Sequence, residues 1–358
     1  MREQTTPGDR TWIEVDLEAL VANARTVLER VPGSRLLPIV KADAYGLGAV
    51  SVARALERVD PWGFAVATAH EGRELREAGL TRPILVLGPR SGALDEVAKH
   101  GLTPALGSVE QIGEWLALAP GRPFHVEVDT GMGRWGLSWR TFGAEAARFR
   151  DEPGFEGLFT HFHSPGEAPA SVKEQWERFQ GALASLPRRP RLVHAASSAS
   201  LAAFPETVAD LVRPGIFLYG GRSGSLRPRR VVVWRARVLA TRWLEAGETV
   251  SYGATWRAGG RTCVATVAAG YADGLPRSLS NVGAALIGGR RLPIAGRVTM
   301  DFTMVASPDW APAVGAAATL IGSDGAESIE LEDVAAAAGT IGYEILTGLG
   351  RRVTRVYR

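Results

Sequence analysis

The chain has 358 residues, more than one ordinary hydrophobic core organises, so we expect two domains or a large barrel with an appended domain. Its 46% apolar and 22% charged residues are typical of a globular protein, and its net charge of +3 does not favour a nucleic-acid partner. The single cysteine, Cys263, excludes an intrachain disulfide, and the sequence shows neither a signal-peptide pattern nor a membrane-spanning run. We therefore expect a cytoplasmic enzyme without membrane or nucleic-acid partners.

Lysine is scarce in this chain, because only Lys41, Lys99 and Lys173 are lysines among its 41 basic residues. Lys99 and Lys173 lie among the charged residues of predicted helices, where a solvated side chain is expected. Lys41 instead follows the apolar run "LLPIV" and precedes the glycine-punctuated "ADAYGLG". A desolvated lysine can lose its proton and add to a carbonyl, whereas arginine cannot. Lys41 is therefore a candidate reactive group.

Eight short apolar runs alternate with amphipathic segments between about residue 12 and residue 230. The runs are typical of buried strands, and the segments between them, such as "HEGRELREAG" and "SVEQIGEWLALA", have the periodicity of helices. Eight such repeats predict a (β/α)8 TIM barrel, whose active-site residues gather at the carboxyl ends of the strands. The runs cover residues 35–41, 62–67, 83–88, 102–107, 123–131, 155–162, 191–198 and 211–220.

The sequence after residue 230 has a different texture. Short β-type runs are separated by glycine-rich turns, and one helix is expected near "LEDVAAAAG". This pattern predicts a mainly-β C-terminal domain over residues 231–358, after a barrel domain over residues 12–230. The boundary is expected near "GGRSGSLRPR", and residues 1–11 are expected to form an arm associated with the β domain.

Several chemically capable residues lie at or just beyond the ends of the predicted barrel strands. Individually they have structural explanations: His194 as a core histidine, Asp129 as a turn residue, and Ser198 as a helix cap. Their shared position at strand ends predicts that they converge in one site. The set comprises Lys41, Asp129, His161, His194, Ser197, Ser198 and Arg213.

The chain resembles the alanine racemases, a family of pyridoxal-phosphate enzymes. The resemblance rests on eight motifs in family order: "VKADAYGLG", "VDTGMGRWG", "FTHF", "HAASS", "RPGIFLYG", "VSYGATW", "GYADGLPR" and "GRVTMD". It implies a barrel with a C-terminal β domain and the interconversion of L-alanine and D-alanine, which supplies D-alanine for peptidoglycan. It also implies a head-to-tail homodimer whose active sites are shared between subunits, and no metal.

The resemblance implies a two-base mechanism. Lys41 would hold pyridoxal phosphate covalently, and its freed amine would exchange the α-proton on one face of the substrate. Tyr271, in "GYADG", would be the base on the opposite face and would be supplied by the partner subunit. Its phenol would need nearby positive charge or hydrogen bonding to act as a base near neutrality. Without the resemblance, Tyr271 would be interpreted as a turn aromatic.

Further residues acquire cofactor-binding roles from the resemblance. Arg213 would contact the pyridine nitrogen, and the competing interpretation is a structural pair with Asp210. His161 would lie against the cofactor and help to hold Arg213. The phosphate would be bound by Tyr45, Ser198 and the backbone amides of Gly215 and Ile216, which are uncharged donors.

The substrate site is implied in the same way. Arg134 would contact the substrate carboxylate and Tyr271, while Met300 would line the side-chain pocket with Asp301 in a supporting role. Many family members carry a carbamylated lysine where this chain has Glu127. We hypothesise that Glu127 supplies the negative charge that orients Arg134. Because strand residues alternate between faces, Glu127 and Asp129 share a face, as this hypothesis requires.

The chain departs from the family pattern near residue 351 as well. Arg351 stands where a tyrosine usually contacts the phosphate, so either Arg351 makes a charged contact or the phosphate is bound differently here.

A broader-specificity amino-acid racemase is one alternative function. A decarboxylase is disfavoured by the "GYADG" context. A single-domain pyridoxal-phosphate carrier is disfavoured by the residues after 230.

Overall fold

The computed structural model describes residues 10–358, and these fall into two compact units. The barrel unit contains Leu20–Leu218 and Arg222–Pro228. The β unit contains residues 10–19 together with Tyr219–Gly221 and Arg229–Arg358. Within the described residues, every helix is too short or too polar to span a membrane. The expected arm over residues 1–11 lies outside the described residues, apart from residues 10 and 11.

The first part of the chain alternates strands and helices, with short 3-10 helices at Glu57–Val59 and Pro205–Thr207. Its elements are β1 (Thr11–Val15), α1 (Leu17–Arg30), β2 (Arg35–Leu36), α2 (Lys41–Gly46), α3 (Ala49–Leu56), β3 (Phe64–Val66), α4 (Ala69–Glu77), β4 (Ile84–Leu87), α5 (Leu94–Lys99), β5 (Thr103–Leu106), α6 (Val109–Leu118), β6 (Phe124–Asp129), β7 (Leu137–Ser138), α7 (Phe142–Ala146), β8 (Phe155–Phe159), α8 (Pro169–Ala184), β9 (Leu192–His194), α9 (Ser198–Ala203) and β10 (Leu211–Val212).

Eight parallel strands of the barrel unit close into a ring. Strands β3, β4, β5, β6, β8 and β9 pair in this order, and β2 pairs with β10. Two single-residue bridges join these sheets: Ile39 to Ala65, just beyond β2, and Ser197 to Arg213, just beyond β9. Each of the eight predicted apolar runs contains one of the strands. The (β/α)8 barrel is therefore confirmed, and Lys41 follows the first barrel strand two residues after the bridge at Ile39.

The barrel helices form where the sequence supplies both an apolar face and a start signal. Helix α4 begins after Thr68, whose hydroxyl accepts from the backbone of Glu71, while the Glu71 carboxylate accepts from the backbone of Thr68. This reciprocal capping box satisfies amides that would otherwise lack partners at a helix start. Helix α8 begins at Pro169, whose fixed backbone angle suits a first helical residue. The strands between these helices supply the buried barrel core.

The second part of the chain is mainly β, as predicted. Short 3-10 helices lie at Tyr252–Ala254, Tyr271–Asp273 and Arg277–Leu279. The remaining elements are β11 (Val232–Leu244), β12 (Thr249–Val250), β13 (Trp256–Arg257), β14 (Thr262–Val267), β15 (Ala284–Ile287), β16 (Arg290–Pro293), β17 (Thr303–Ser307), β18 (Ala317–Asp324), β19 (Glu327–Ile329), α10 (Leu331–Ala338), α11 (Gly342–Thr347) and β20 (Thr354–Tyr357).

The first strand of the chain belongs to the sheet of the β unit. Strand β1 pairs antiparallel with β11 and parallel with β20, and all five of its residues are buried. The domain limits predicted from sequence place Trp12 with the barrel, whereas the structure groups it with residues more than 200 positions away. The reason is the backbone ladder to β11, which a local sequence pattern does not reveal.

Candidate active site

Lys41 opens a left-handed turn of the backbone. Ala42, Asp43, Ala44 and Tyr45 have φ angles of 53°, 53°, 52° and 59°, so four consecutive residues other than glycine are left-handed within α2. Each such residue costs about 1–2 kcal/mol relative to the right-handed form. Strain of this kind persists only where the surroundings hold it, and it is enriched at functional sites.

The Glu71 carboxylate is one of the groups that hold this turn. Its Oε1 accepts from the Ala42 amide at 2.7 Å, and its Oε2 accepts from the amides of Ala67 and Thr68 at 2.7 Å and 3.1 Å. The carboxylate therefore links the start of α4 to the residue after Lys41. Sequence reasoning missed Glu71. The "TAHE" spacing indicates a capping box, but the bond to Ala42 depends on tertiary structure.

The Lys41 amine lies in an environment that favours its neutral form. Burial is the main cause that lowers the pKa of Lys41, and the positive charge of Arg134 lowers it further, while Glu71 opposes both. A neutral amine is the form that can attack a carbonyl or accept a proton. Lys99 is instead exposed and pairs with Glu96, as the sequence predicts for a surface lysine.

Arg213 is buried beyond the end of β10 and is held by uncharged acceptors. Its Nη1 bonds to His194 Nδ1 at 2.7 Å, and its Nη2 donates to the carbonyl oxygens of Thr160 and Ala195 at 2.8 Å and 3.1 Å. Burial lowers the pKa of Arg213 to about 10, with Glu127 opposing, so the guanidinium keeps its proton near neutrality.

Asp210, the partner proposed for Arg213 in the competing interpretation, has other contacts. Its Oδ2 accepts from Arg189 at 2.6 Å and from the Val193 amide at 2.7 Å. Arg213 instead bonds to groups at the ends of β8 and β9. These contacts favour a role for Arg213 at the carboxyl face of the barrel.

His161 lies next to Arg213, just beyond the end of β8. Arg213 Nη2 approaches His161 Nδ1 at 3.3 Å, where a neutral imidazole can accept the hydrogen bond. Burial, with the charges of Arg213, Arg134 and Lys41, lowers the pKa of His161 to about 3. Because the charges of Arg213, Arg134 and Lys41 all act on His161, these groups lie near one another in the barrel unit.

Glu127 and Arg134 meet at the end of β6. Glu127 Oε1 and Arg134 Nη2 are 3.9 Å apart, which is an ion-pair distance but longer than a hydrogen bond. Glu127 is only 5% exposed, whereas the Arg134 side chain is 60% exposed. Burial raises the pKa of Glu127 to about 7, although Arg213 and Arg134 lower it. This geometry is compatible with the hypothesis that Glu127 orients Arg134.

The loop that carries Arg134 is fixed on both sides. The Asp129 carboxylate accepts from the amides of Gly131 and Gly133, at 2.9 Å and 3.0 Å. The Trp135 ring lies so close to Gly107 that a Cβ at that glycine would be 2.4 Å from the ring. Asp129 is thus a turn-forming residue, in agreement with its structural interpretation, and it acts on the loop of Arg134.

A small group of uncharged donors lies beyond β9 and β10. The Gly215 amide donates to Ser198 Oγ at 2.8 Å, and a Cβ at Gly215 would lie 2.4 Å from the Tyr45 hydroxyl. Only glycine leaves room for this hydroxyl beside the backbone. Ile216 follows Gly215 and is buried. Ser197, rather than Ser198, is the N-cap of α9.

Tyr271, Met300 and Asp301 lie in the β unit. Tyr271 is 44% exposed and Met300 is 53% exposed. The amides of Tyr271 and Ala272 donate to the carbonyl oxygens of Thr299 and Met300, each at 3.0 Å. A Cβ at Gly270 would lie 2.3 Å from the Thr299 oxygen, so glycine permits this close approach. Tyr271 and Met300 are therefore held together by backbone contacts.

Asp273 and Arg352 brace the same turn. Arg352 donates to both Asp273 carboxylate oxygens, at 2.7 Å and 3.0 Å, and its Nη2 lies 2.7 Å from Asp301 Oδ1. The buried Asp273 also accepts from the Gly270 amide at 2.9 Å. Arg351, which the sequence raised as a phosphate contact, is exposed. Its neighbour Arg352 makes these ion pairs, a role that sequence reasoning missed.

The barrel unit thus presents a lysine with a lowered pKa, a buried arginine and uncharged anion donors at the carboxyl face of a (β/α)8 barrel. These features define a barrel enzyme with a lysine-centred site for a small anionic molecule. A family model described as the alanine racemase N-terminal domain matches residues 15–223, and one described as the C-terminal domain matches residues 231–357. The chain belongs to the alanine racemase family, an isomerase family.

Individual relatives agree with this assignment over the whole chain. An alanine racemase of Symbiobacterium thermophilum is 41% identical over 372 residues, covering 97% of each chain. The crystal structure of alanine racemase from E. faecalis is similar with a TM-score of 0.91 and 32% identity, covering 98% of each chain. The alanine racemase from Bartonella henselae, solved with covalently bound pyridoxal phosphate, has a TM-score of 0.91 and 33% identity, covering 98% of this chain and all of that one.

Proposed function

We propose that this chain interconverts L-alanine and D-alanine, with pyridoxal phosphate held on Lys41 and with Lys41 and Tyr271 as the two bases. The observation that carries the proposal is the grouping at the carboxyl face of the barrel: Arg213 Nη2 lies 3.3 Å from His161 Nδ1, and burial together with the charge of Arg134 lowers the pKa of Lys41. Family membership over both units supports the reaction type and disfavours the single-domain carrier.

The residues present fit pyridoxal phosphate. The close approach of the Tyr45 hydroxyl to Gly215 forms a cradle that a Cβ would fill, and the Ser198 hydroxyl adjoins it. These groups and the Ile216 amide are uncharged donors suited to a phosphate. When bound, the cofactor ring withdraws the negative charge that develops at the substrate α-carbon as its proton leaves.

Lys41 would hold the cofactor and then exchange a proton at one face of the α-carbon. Burial favours the neutral amine, which is the form that accepts this proton. The hydrogen bond that the Ala42 amide donates to Glu71 fixes the backbone beside Lys41, so the amine would approach from one direction. This role makes Lys41 one of the two bases.

The second base would be the partner subunit's Tyr271, because the family assembles as a head-to-tail homodimer. In this chain Tyr271 is exposed on a turn braced by Asp273 and Arg352. A fixed and accessible phenol suits a group that works in a neighbouring site. Arg134 would contact this phenol and bind the substrate carboxylate.

Arg213 would face the ring nitrogen of the cofactor. Because a guanidinium donates hydrogen bonds and keeps its proton, that nitrogen would stay largely unprotonated. By keeping that nitrogen unprotonated, Arg213 would moderate the charge withdrawal that the bound ring supplies and so limit side reactions. His161 would lie against the ring and, as a neutral acceptor, support Arg213.

Arg134 and the partner subunit's Met300 would select the substrate. Arg134 binds the carboxylate and Glu127 orients Arg134, without a carbamylated lysine at this position. Met300, with Asp301 in support, would limit the side-chain pocket to the size of a methyl group. We further propose that the enzyme is cytoplasmic and supplies D-alanine for peptidoglycan.

The test is to measure exchange and racemisation with the purified protein. It should be yellow, and it should exchange the α-hydrogen of L-alanine in deuterated water while forming D-alanine. Serine, lysine and arginine serve as matched substrates for specificity, and comparable rates with them would favour a broader racemase. A colourless protein that takes up no pyridoxal phosphate and leaves alanine unchanged would refute the proposed function.

A further inference from the structure

Three side chains that the proposed reaction does not use, two buried histidines and a partly exposed glutamate, form a line through the barrel. His194 is the last residue of β9, His125 is the second residue of β6, and Glu156 is the second residue of β8. His194 Nε2 and His125 Nδ1 are 2.9 Å apart, and His125 Nε2 lies 3.4 Å from Glu156 Oε2. Both histidines are fully buried. We refer to these three residues as the histidine relay.

The histidine relay connects Arg213 to the opposite end of the barrel. Arg213 Nη1 is 2.7 Å from His194 Nδ1 at the carboxyl end of the strands. At the other end, Glu156 Oε1 is 2.9 Å from Nη2 of the exposed Arg191. Barrel interiors are usually filled by apolar side chains, so a continuous polar line is an unusual use of the core.

The proton positions along the histidine relay follow from its two ends. A guanidinium only donates, so His194 Nδ1 accepts from Arg213. Burial lowers the pKa of both histidines, so each ring is neutral and carries one proton. His194 therefore holds its proton on Nε2 and donates to His125 Nδ1, and His125 in turn donates from Nε2 to the Glu156 carboxylate. Every hydrogen bond in the histidine relay is therefore donated in the direction from Arg213 toward Glu156.

Packing fixes both rings in this arrangement. The His194 ring stacks on Phe159 with centroids 4.7 Å apart and an interplanar angle of 5°. The Arg213 guanidinium carbon lies over the same Phe159 ring, 5.2 Å from the ring centroid. A Cβ at Gly157 would lie 2.4 Å from His125 Nδ1, so the His125 ring occupies the space that a side chain there would need.

We propose that the histidine relay is a positioning device for Arg213, which uses the remote Glu156 carboxylate to orient the guanidinium toward the cofactor ring. Hydrogen bonds in a chain polarise one another, so the carboxylate makes His194 Nδ1 a stronger acceptor. Arg213 thereby gains a firm anchor without an anion bonded directly to it. This proposal rests on the proposed function, because that function places the cofactor ring beside Arg213.

The first test is independent of the cofactor. Nitrogen-15 NMR of the cofactor-free protein reads the protonation state of each imidazole directly. The expected result at neutral pH is that His125 and His194 are both neutral and both protonated on Nε2. A ring that carries its proton on Nδ1, or two protons, would overturn the one-way line. This result does not depend on whether the protein racemises alanine.

The second test removes the remote charge and compares the holoenzymes. Glu156→Gln keeps an acceptor for His125 but removes the charge, and Glu177→Gln on the exposed face of α8 is the matched control. The histidine relay predicts that Glu156→Gln lowers kcat for alanine about tenfold with little change in KM. It also predicts that amino transfer from alanine to the cofactor, which yields pyruvate, occurs more often for each racemisation.

A second variant guards against a folding defect in Glu156→Gln. His125→Asn keeps an acceptor for His194 where Nδ1 was, but it cannot reach Glu156, so it should reproduce the same changes in kcat and pyruvate formation. If both variants fold and keep the kcat and the rate of pyruvate formation of the wild type, the polar line only fills the barrel interior. That result would overturn the proposal. In that case the wild-type racemase activity would still support the proposed function, so the two failures are distinguishable.

Discussion

Replacing Glu127 with glutamine tests how the chain places a negative charge beside Arg134. Glu127 is buried, and burial raises its pKa from 4.5 to about 7 despite the nearby Arg213 and Arg134. Ionised Glu127 is therefore unfavourable for folding, although it is the form that attracts Arg134. Because glutamine resembles the neutral carboxylic acid in shape, Glu127→Gln separates these two effects.

The magnitude and sign follow from the difference in pKa between the folded and unfolded chain. A change from 4.5 to about 7 corresponds to about 3 kcal/mol. Because the folded-state pKa is raised, protonation of Glu127 contributes its stability in full below pH 4.5, and this contribution is lost as the pH rises through about 7. Glu127→Gln should therefore match the wild type in acid and exceed it in stability, by up to about 3 kcal/mol, well above neutrality.

The assay compares unfolding midpoints of the cofactor-free proteins in mild acid and in mild alkali, with Glu177→Gln as an exposed control. The expected result is a higher unfolding midpoint for Glu127→Gln than for the wild type in alkali only. The holoenzyme of the variant should also have a KM for alanine about fivefold higher than that of the wild type, because the ion pair with the exposed Arg134 is lost. A variant that is less stable than the wild type in alkali, or equally shifted at both pH values, would refute the assigned burial of the Glu127 charge.

Three further substitutions test the bases and their supports. Glu71→Ala removes the acceptor of the hydrogen bond that the Ala42 amide donates beside Lys41, so it should slow formation of the coloured cofactor adduct about tenfold. Thr68→Val removes the hydroxyl that caps α4 and should leave that rate unchanged. Equal slowing in both variants would contradict the link to Lys41. Tyr271→Phe should reduce α-proton exchange of one alanine enantiomer by about 100-fold or more and that of the other far less, and equal losses would argue against two bases. The lysine of Arg352→Lys cannot bond to both Asp273 oxygens, so the turn that carries Tyr271 is held less firmly. The kcat should fall about fivefold while the cofactor affinity stays unchanged. Weaker cofactor binding would assign Arg352 a different role.

Local sequence patterns were sufficient for the barrel. Its eight apolar runs each contain a strand, and strand ends carry Lys41, His161 and Arg213, because chain alternation and side-chain polarity are local properties. The pattern also isolated Lys41, since lysine is rare in this chain and the other two lysines lie among predicted helix charges.

Features that depend on contacts between residues far apart in the chain could not be predicted from local sequence patterns. The left-handed turn after Lys41 contains no glycine until Gly46, so residue preferences do not indicate it. Glu71 acts on Ala42 across 29 positions, and β1 joins a sheet with residues beyond 230. His125 becomes meaningful only through His194, which lies 69 positions away. Such pairings are set by the closed barrel and the β ladder.

The role of Lys41 can be measured most directly by reducing the purified holoprotein with borohydride, digesting it and mapping the modified lysine. The chain makes this measurement decisive because its only lysines are Lys41, Lys99 and Lys173. The predicted result is cofactor on the peptide that contains Lys41, and loss of both colour and alanine racemisation in Lys41→Arg. Cofactor on Lys99 or Lys173, or an unmodified protein that still racemises alanine, would contradict it.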